Sequence, residues 1–383
     1  MTKLVAAVVG TGFIGPVHVE GLLRAGVHVA GIMGSSPEKS KMAAKRLQLP
    51  RGYASLAEVL ADKTVDVVHI TSPNRHHFEQ ASAVIAAGKH VLCEKPLAMN
   101  SAQSAELVSL AKQAGVAAGV NYNIRYYPLC IEAAGRVAAG AFGDLFHVSG
   151  SYSQDWLLHR SDFNWRVLAD EGGELRAVAD IGTHLLDLIG FITGRRVEAV
   201  CADLQTVYPY RDRPSGEVET FSGKTSTPAA THSVAIDTED HGSILLRFEG
   251  GAKGVISVSQ VAAGRKNCLR LELAGSIGSF AWDSQSPNSL WLGHRDKANE
   301  TLIRDPALMG DRARQFASYP GGHNEGFPDT FKQLFRDFYQ AIESGDFIEK
   351  PTFPTFNDGH QEILLCEAIL KSHREQRWVK VAE

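Results

Sequence analysis

Through the first 120 residues, short and nearly uninterrupted apolar runs alternate with longer amphipathic ones, an order that few architectures accommodate. The apolar runs are LVAAVV (4–9), VHVAGIM (27–33), VDVVHI (65–70), KHVLC (89–93) and VAAGV (116–120). Strands that are apolar on both faces need cover on both faces, the condition of a parallel sheet between two layers of helices. The spacing predicts those helices at 13–25, 37–48, 75–88 and 101–115, the second marked by Ser35-Ser36 ahead of Pro37. Residues 1–124 therefore read as a doubly wound α/β domain.

Beyond residue 125 the order changes. A helix at 125–140, a strand at 145–155 and a short helix at 180–193 are followed by strands with no helices between them, at 197–208, 231–238, 242–249, 253–261, 267–274 and 278–283. Gly250-Gly251 and Gly275-Ser276 lie between them as turns. Such a run predicts an open, mostly antiparallel sheet, so residues 125–383 form a second, α+β domain. Segment 209–230, rich in Pro, Gly, Ser and Thr, is expected to be a long exposed excursion. Helices at 327–344 and 358–374 and a last strand at 378–381 close the chain.

A length of 383 residues suits two cores, and a net charge of −4 offers no basic surface for nucleic acid or acidic lipid. No apolar run approaches the roughly 18 residues of a membrane span. The N-terminal apolar run ends in glycines, where a signal segment would show a small-residue cleavage site. The five cysteines, Cys93, Cys130, Cys201, Cys268 and Cys366, are scattered without metal-type spacing. Reduced thiols, a cytoplasmic location and no metal are the expectation.

The first strand runs into Gly10-Thr11-Gly12-Phe13-Ile14-Gly15 and then a helix, the context in which this spacing binds a dinucleotide. Glycines let the backbone approach a pyrophosphate whose charge meets the helix N-terminus. An NAD site commonly places a carboxylate at the end of the second strand; here that end reads Gly34-Ser35-Ser36, with Lys39 following and no carboxylate before Glu38. The cofactor is thus NAD(P), with NADP slightly favoured. The third strand ends Thr71-Ser72-Pro73-Asn74 at the edge where such folds bind ligands, with His77 just beyond. Asn74 also reads as a plain helix cap, and His77 as a histidine packed at a helix start.

The fourth strand breaks into Glu94-Lys95-Pro96 at that same edge. Charges at the end of an apolar run are costly unless they meet solvent, a partner or a ligand. Farther on, Asp180 and His184 stand four apart on a predicted helix, where the carboxylate would orient the imidazole and raise its basicity. No third ligand completes a metal set.

Taken together, GTGFIG, Thr71–Asn74, Glu94-Lys95-Pro96, NYNIRYYP (121–128) and DIGTH (180–184) resemble the glucose–fructose oxidoreductase / inositol dehydrogenase / MocA (Gfo/Idh/MocA) family over nearly the whole length. The resemblance implies a Rossmann domain and catalytic roles for Lys95, Asp180 and His184 beside the nicotinamide. Glu94 and Asn123 join the cofactor set. Tyr152, Gln154, Asp155, Trp156, Trp165 and Arg166, aromatic faces with hydroxyl-reading polar groups, suit a sugar ring and resemble the levoglucosan-dehydrogenase branch. Arg125, near the domain junction, and His323, in GGHNEGF, complete the substrate candidates. The implied activity is hydride transfer between a ring carbinol of a sugar, anhydrosugar or cyclitol and nicotinamide C4. The alternatives are a glycoside-cleaving enzyme that oxidises its substrate transiently, and a non-catalytic dinucleotide-binding regulator. A carbohydrate is the expected partner, with no nucleic acid and no membrane, and a homodimer or homotetramer is expected through the C-terminal sheet.

Overall fold

A computed structural model describes residues 4–215 and 230–382. Its first sheet has six parallel strands: β1 (Val5–Val9), β2 (His28–Met33), β3 (Arg51–Tyr53), β4 (Val67–Ile70), β5 (His90–Cys93) and β6 (Ala118–Val120), in the order β3-β2-β1-β4-β5-β6. The order reverses between β1 and β4, so the chain leaves these two strands toward opposite sides and opens a crevice at their carboxyl ends. The loops after β1, β2, β4 and β5 all meet there. β3 lies outside the expected set because Arg51-Gly52-Tyr53 has no apolar run. Its pairing with β2, Gly31 opposite Arg51, defines it.

The second sheet draws on β7 (Leu145–Ser153), β8 (Val197–Gln205), β11 (His241–Phe248), β12 (Lys253–Ser259), β13 (Cys268–Gly275), β14 (Ser279–Asp283), β15 (Ser289–Gly293), β16 (Glu300–Ile303) and β17 (Val379–Lys380). Their order is β16-β15-β14-β13-β7-β12-β11-β8-β17, and only the β7–β12 pair is parallel. β15 and β16 extend the sheet beyond the expected strands. Between β8 and β11 the chain forms a separate antiparallel pair, β9 (Tyr210–Pro214) with β10 (Thr231–Ala235). β9 opens the expected excursion, whose residues 216–229 lie outside the described residues, and β10 is the strand expected at 231–238, which pairs with β9 and not with the larger sheet.

One face of this sheet packs against the buried helix Thr183–Thr193, closely enough at Gly150 of β7 that a Cβ there would stand 3.1 Å from the Leu185 side chain. Among the described residues, no helix covers the other face. Register neighbours Leu245, Val255, Ser149, Glu272, Ala281, Trp291 and Thr301 form a row across it, partly lining a groove of about 550 Å³.

The C-terminal helices return to the first sheet. Helix Phe327–Ser344 packs on helix Ile14–Arg24 so closely that a Cβ on Gly21 would lie 2.8 Å from the Phe335 ring. Phe331, Phe335 and Phe338 are fully buried there, each contributing roughly 1.5–3 kcal/mol. Helix Phe356–Glu375 docks on Ser101–Ala114, and Val120 donates its N–H to Pro354 O at 2.8 Å. A division at 124/125 separates the two sheets in sequence, while residues 327–375 complete the layer over the first. Among the described residues, no helix is long and apolar enough to cross a membrane.

Candidate active site

The three glycines after β1 have three different jobs. Gly10 has φ of 122°, and a Cβ on it would strike the Thr71 main chain at 2.6 Å. Gly15 lies so close to the strand that its Cβ would stand 2.1 Å from Gly10 O. A Cβ on Gly12 would meet nothing within 4 Å. Gly12 faces open space at the N-terminus of helix Ile14–Arg24, whose first turn carries no acidic residue, and Phe13 stands exposed beside it. This cradle fits a pyrophosphate: backbone N–H groups and the positive helix end face room that a side chain would fill.

Around the cradle, Thr71 Oγ1 donates to Val9 O at 3.0 Å, and Ser72 Oγ donates to Gln80 Oε1 at 2.7 Å. Ser36 caps the following helix by accepting the Lys39 N–H at 3.2 Å, which leaves Ser35 as the exposed hydroxyl at the end of β2. Asn74, after Pro73, donates across the cleft to Gly172 O at 2.9 Å, and neighbouring Arg75 pairs with Glu171 at 2.7 Å. His77 is fully buried with its ring nitrogens against Ser72 O (2.9 Å) and Pro96 O (2.8 Å), tying the ends of β4 and β5 together; burial lowers its pKa.

Beyond β5, Lys95 crosses to the second domain. Its Nζ donates to Asp180 O at 2.8 Å and Asp180 Oδ1 at 2.9 Å. Asp180 Oδ2 accepts from Gln260 Nε2 at 2.8 Å, and Arg166 Nε lies 3.6 Å from Oδ1. Burial works to raise the Asp180 pKa, but Lys95 and then Arg166 override it and hold the carboxyl well below the usual range. His184 is held down to about 3, first by burial and then by the Lys95 charge. Its imidazole is therefore neutral, with Nδ1 sealed from solvent and without a hydrogen-bond partner among the described residues. Tyr122 meets the ring edge-on at 5.7 Å and Tyr152 lies 6.5 Å away.

These contacts correct the expected Asp180–His184 pairing. Val178–Gly182 is a turn of π-helix, with Thr183 N–H reaching back to Val178 O, so the two residues are not on one regular α-helical face. No hydrogen bond joins them among the described residues. The carboxylate is taken by Lys95 and Gln260, and the net shift of the histidine is downward. π-turns frequently mark functional sites. Here Glu239 sets the start of the turn by accepting the N–H of Arg176 and Val178 (2.8 Å to Val178), and neighbouring Asp240 pairs with fully buried Arg176 and Arg211.

On the substrate side, Tyr152 OH and Gln154 Nε2 both donate to Asn267 Oδ1 (2.8 and 2.9 Å), and Trp156 Nε1 donates to Gln154 Oε1 at 2.8 Å. Arg166 stacks on Trp165 at 4.4 Å and reaches toward Asp180. Asp155 is committed to Lys266 at 2.6 Å. Three expected residues have other partners. Asn123 donates to Thr330 at 2.7 Å; Arg125 bridges Asp187 and Asp358; His323 is exposed in a turn whose carbonyl accepts from Arg304. None of the three contacts Lys95, Asp180 or His184 through a hydrogen bond or ion pair among the described residues. Gln260, Tyr122 and Asn267 were missed: Gln260 falls at the end of a predicted strand and Tyr122 inside NYNIR, while Asn267 gives no local signal.

Residues 4–122 match the oxidoreductase family, NAD-binding Rossmann fold, and residues 131–281 match the GFO/IDH/MocA C-terminal domain. Levoglucosan dehydrogenase of Pseudarthrobacter phenanthrenivorans is 29% identical over 92% of this chain and 89% of its own. Myo-inositol 2-dehydrogenase of Thermotoga maritima is 26% identical over 98% of each. The solved complex of a levoglucosan dehydrogenase with NADH and L-sorbose shares the fold at a TM-score of 0.89, with 26% identity over 100% of both chains.

Proposed function

The chain belongs to the Gfo/Idh/MocA oxidoreductase family, and from that premise we propose that it transfers a hydride between a ring carbinol of a sugar, anhydrosugar or cyclitol and a nicotinamide dinucleotide. Residues 1–124 hold the dinucleotide and 125–383 present the substrate. When bound, NAD(P) supplies the hydride acceptor at nicotinamide C4. The cradle of Gly10, Gly12 and Gly15 holds the pyrophosphate. The Lys95 ammonium, fixed by two contacts to Asp180, lowers the pKa of the substrate hydroxyl and stabilises negative charge developing on its oxygen. Neutral His184 takes the hydroxyl proton; its sealed Nδ1 leaves Nε2 for that role. Asp180 positions Lys95, while Tyr152, Gln154, Trp156, Trp165 and Arg166 read the ring.

The observation that carries this reading is the cross-domain clamp of Lys95 on Asp180 beside a neutral, buried His184. The end of β2, with an exposed Ser35 and no carboxylate, supports NADP over NAD. The uncovered row of the second sheet, with Leu245 and Val255 exposed, supports a second copy of the chain as its cover. Leu245→Glu with Val255→Glu is then expected to give monomers in sedimentation.

A panel of free sugars, anhydrosugars, cyclitols and glycosides, assayed with each cofactor for reduced nicotinamide and released aglycone together, tests the function. Net cofactor reduction with at least one carbohydrate is expected. Aglycone release without net reduction would point to redox-assisted glycoside cleavage. Binding without turnover would point to a regulator.

A further inference from the structure

From the Lys95 backbone, a chain of hydrogen bonds runs through the buried interior. Tyr339 OH lies 3.1 Å from His69 Nε2, His69 Nδ1 lies 3.0 Å from His18 Nδ1, and His18 Nε2 lies 3.1 Å from Glu94 Oε1. The other oxygen, Glu94 Oε2, accepts the backbone N–H of Lys95 at 3.1 Å, and Asn121 Nδ2 donates to Oε1. His18 and His69 have no exposed surface, and Phe331 and Phe335 pack around the His18 ring. The chain thus joins helix Phe327–Ser344, nearly 250 residues downstream, to the amide of the lysine placed at the reacting hydroxyl.

Its proton order follows from the two ends. Burial works against the Glu94 charge, but the His18 hydrogen bond, the largest opposing influence, helps hold the carboxyl down to about 2. An ionised carboxylate only accepts, so His18 Nε2 carries a proton. His18 Nδ1 and His69 Nδ1 face each other, so one of the two carries the proton; with it on His69, His18 Nδ1 is bare and accepts. Burial keeps His69 neutral, leaving its bare Nε2 to take the Tyr339 O–H. Along Tyr339, His69, His18 and Glu94 the donors then point the same way, while Asn121 Nδ2, 3.3 Å from His18 Nε2, donates to the nearer Glu94 Oε1. A doubly protonated His18 would reverse the far half, strand the Tyr339 hydroxyl proton, and place a cation among phenylalanine rings.

We propose that His18 is a positioning residue for Lys95: it orients the Glu94 carboxylate that fixes the Lys95 backbone, and His69 and Tyr339 select the His18 tautomer that can do so. This rests on the catalytic role given to Lys95. His18→Leu removes the donor, whereas His18→Gln keeps an amide N–H at a similar reach. The Leu variant is expected to lose about tenfold to a hundredfold in kcat with KM and cofactor affinity nearly unchanged, as for a catalytic group displaced by a fraction of an ångström. The Gln variant should recover most of that loss. Equal kcat in the two variants would overturn the proposal. Nitrogen-15 NMR of the wild type should show neutral His18 protonated at Nε2 and neutral His69 protonated at Nδ1. Finding His18 protonated at Nδ1 instead would also overturn it. That spectrum needs no turnover, so it stands or fails apart from the proposed activity.

Discussion

Lys95→Ala should separate stability from chemistry. The substitution removes two contacts at 2.8 and 2.9 Å from Asp180, which keeps Gln260 at 2.8 Å and Arg166 at 3.6 Å. Removing one partner of a buried ion pair costs about 3–5 kcal/mol. The pair is only partly buried, and the Gln260 donor and the nearby Arg166 charge stay on the carboxylate, so the lower end or less, at most about 3 kcal/mol, is expected, a fall in Tm of several degrees. The loss in kcat should be larger in its consequence, at least about a hundredfold, as for other single electrostatic stabilisers. Dinucleotide affinity should hold, because the cradle at Gly12 is built by β1 and its helix. Adding Asp180→Asn to Lys95→Ala removes the stranded charge, so it should return stability without returning kcat. Thermal denaturation, cofactor fluorescence titration and steady-state rates of nicotinamide reduction read the three quantities separately. A Lys95→Ala enzyme with kcat within about tenfold of wild type would reduce Glu94-Lys95-Pro96 to a charged turn that pairs with Asp180.

Gly12→Val should abolish dinucleotide binding in titration and keep the Tm, because a Cβ there meets no protein atom within 4 Å; Gly15→Ala should instead lower the Tm, its Cβ standing 2.1 Å from Gly10 O. Ser35→Asp should weaken NADP far more than NAD, and a wild type that already prefers NAD by about tenfold, roughly 1.4 kcal/mol, would refute the NADP reading. His184→Ala should be slow, with residual activity rising with pH as hydroxide replaces the base. His184 also links stability to pH. Its folded value of about 3 lies below the ordinary 6.5, so between these the unfolded chain binds a proton the folded chain does not. That contribution is complete above pH 6.5 and is lost as pH falls toward 3, so urea titrations at neutral and mildly acidic pH should show a greater loss for wild type than for His184→Ala.

The first domain was legible because its strands are buried on both faces and its glycines do different steric work at fixed spacing. β3 was hidden because three residues with an arginine and a glycine have no apolar signature and owe their conformation to β2. The Lys95–Asp180 contact was visible only as two motifs. That they meet, and that the carboxylate serves the lysine ahead of the histidine, depends on a π-turn set by Glu239, some 60 residues away in sequence. Arg125 was a substrate candidate for its place near the domain junction. Asp187 and Asp358, which hold it, come from two other helices and no local pattern points to them. His18 and His69 drew no reading from the sequence, and only their contact through facing Nδ1 atoms shows a directed chain.

Isotope transfer bears most directly on the proposed chemistry. Once a reduced substrate is identified, versions carrying deuterium at each ring carbon in turn can be oxidised and the cofactor recovered for mass spectrometry. One labelled position should deliver its deuterium to the cofactor and slow the hydride step. Reduced cofactor without deuterium from any ring carbon would contradict direct hydride transfer from a ring carbinol.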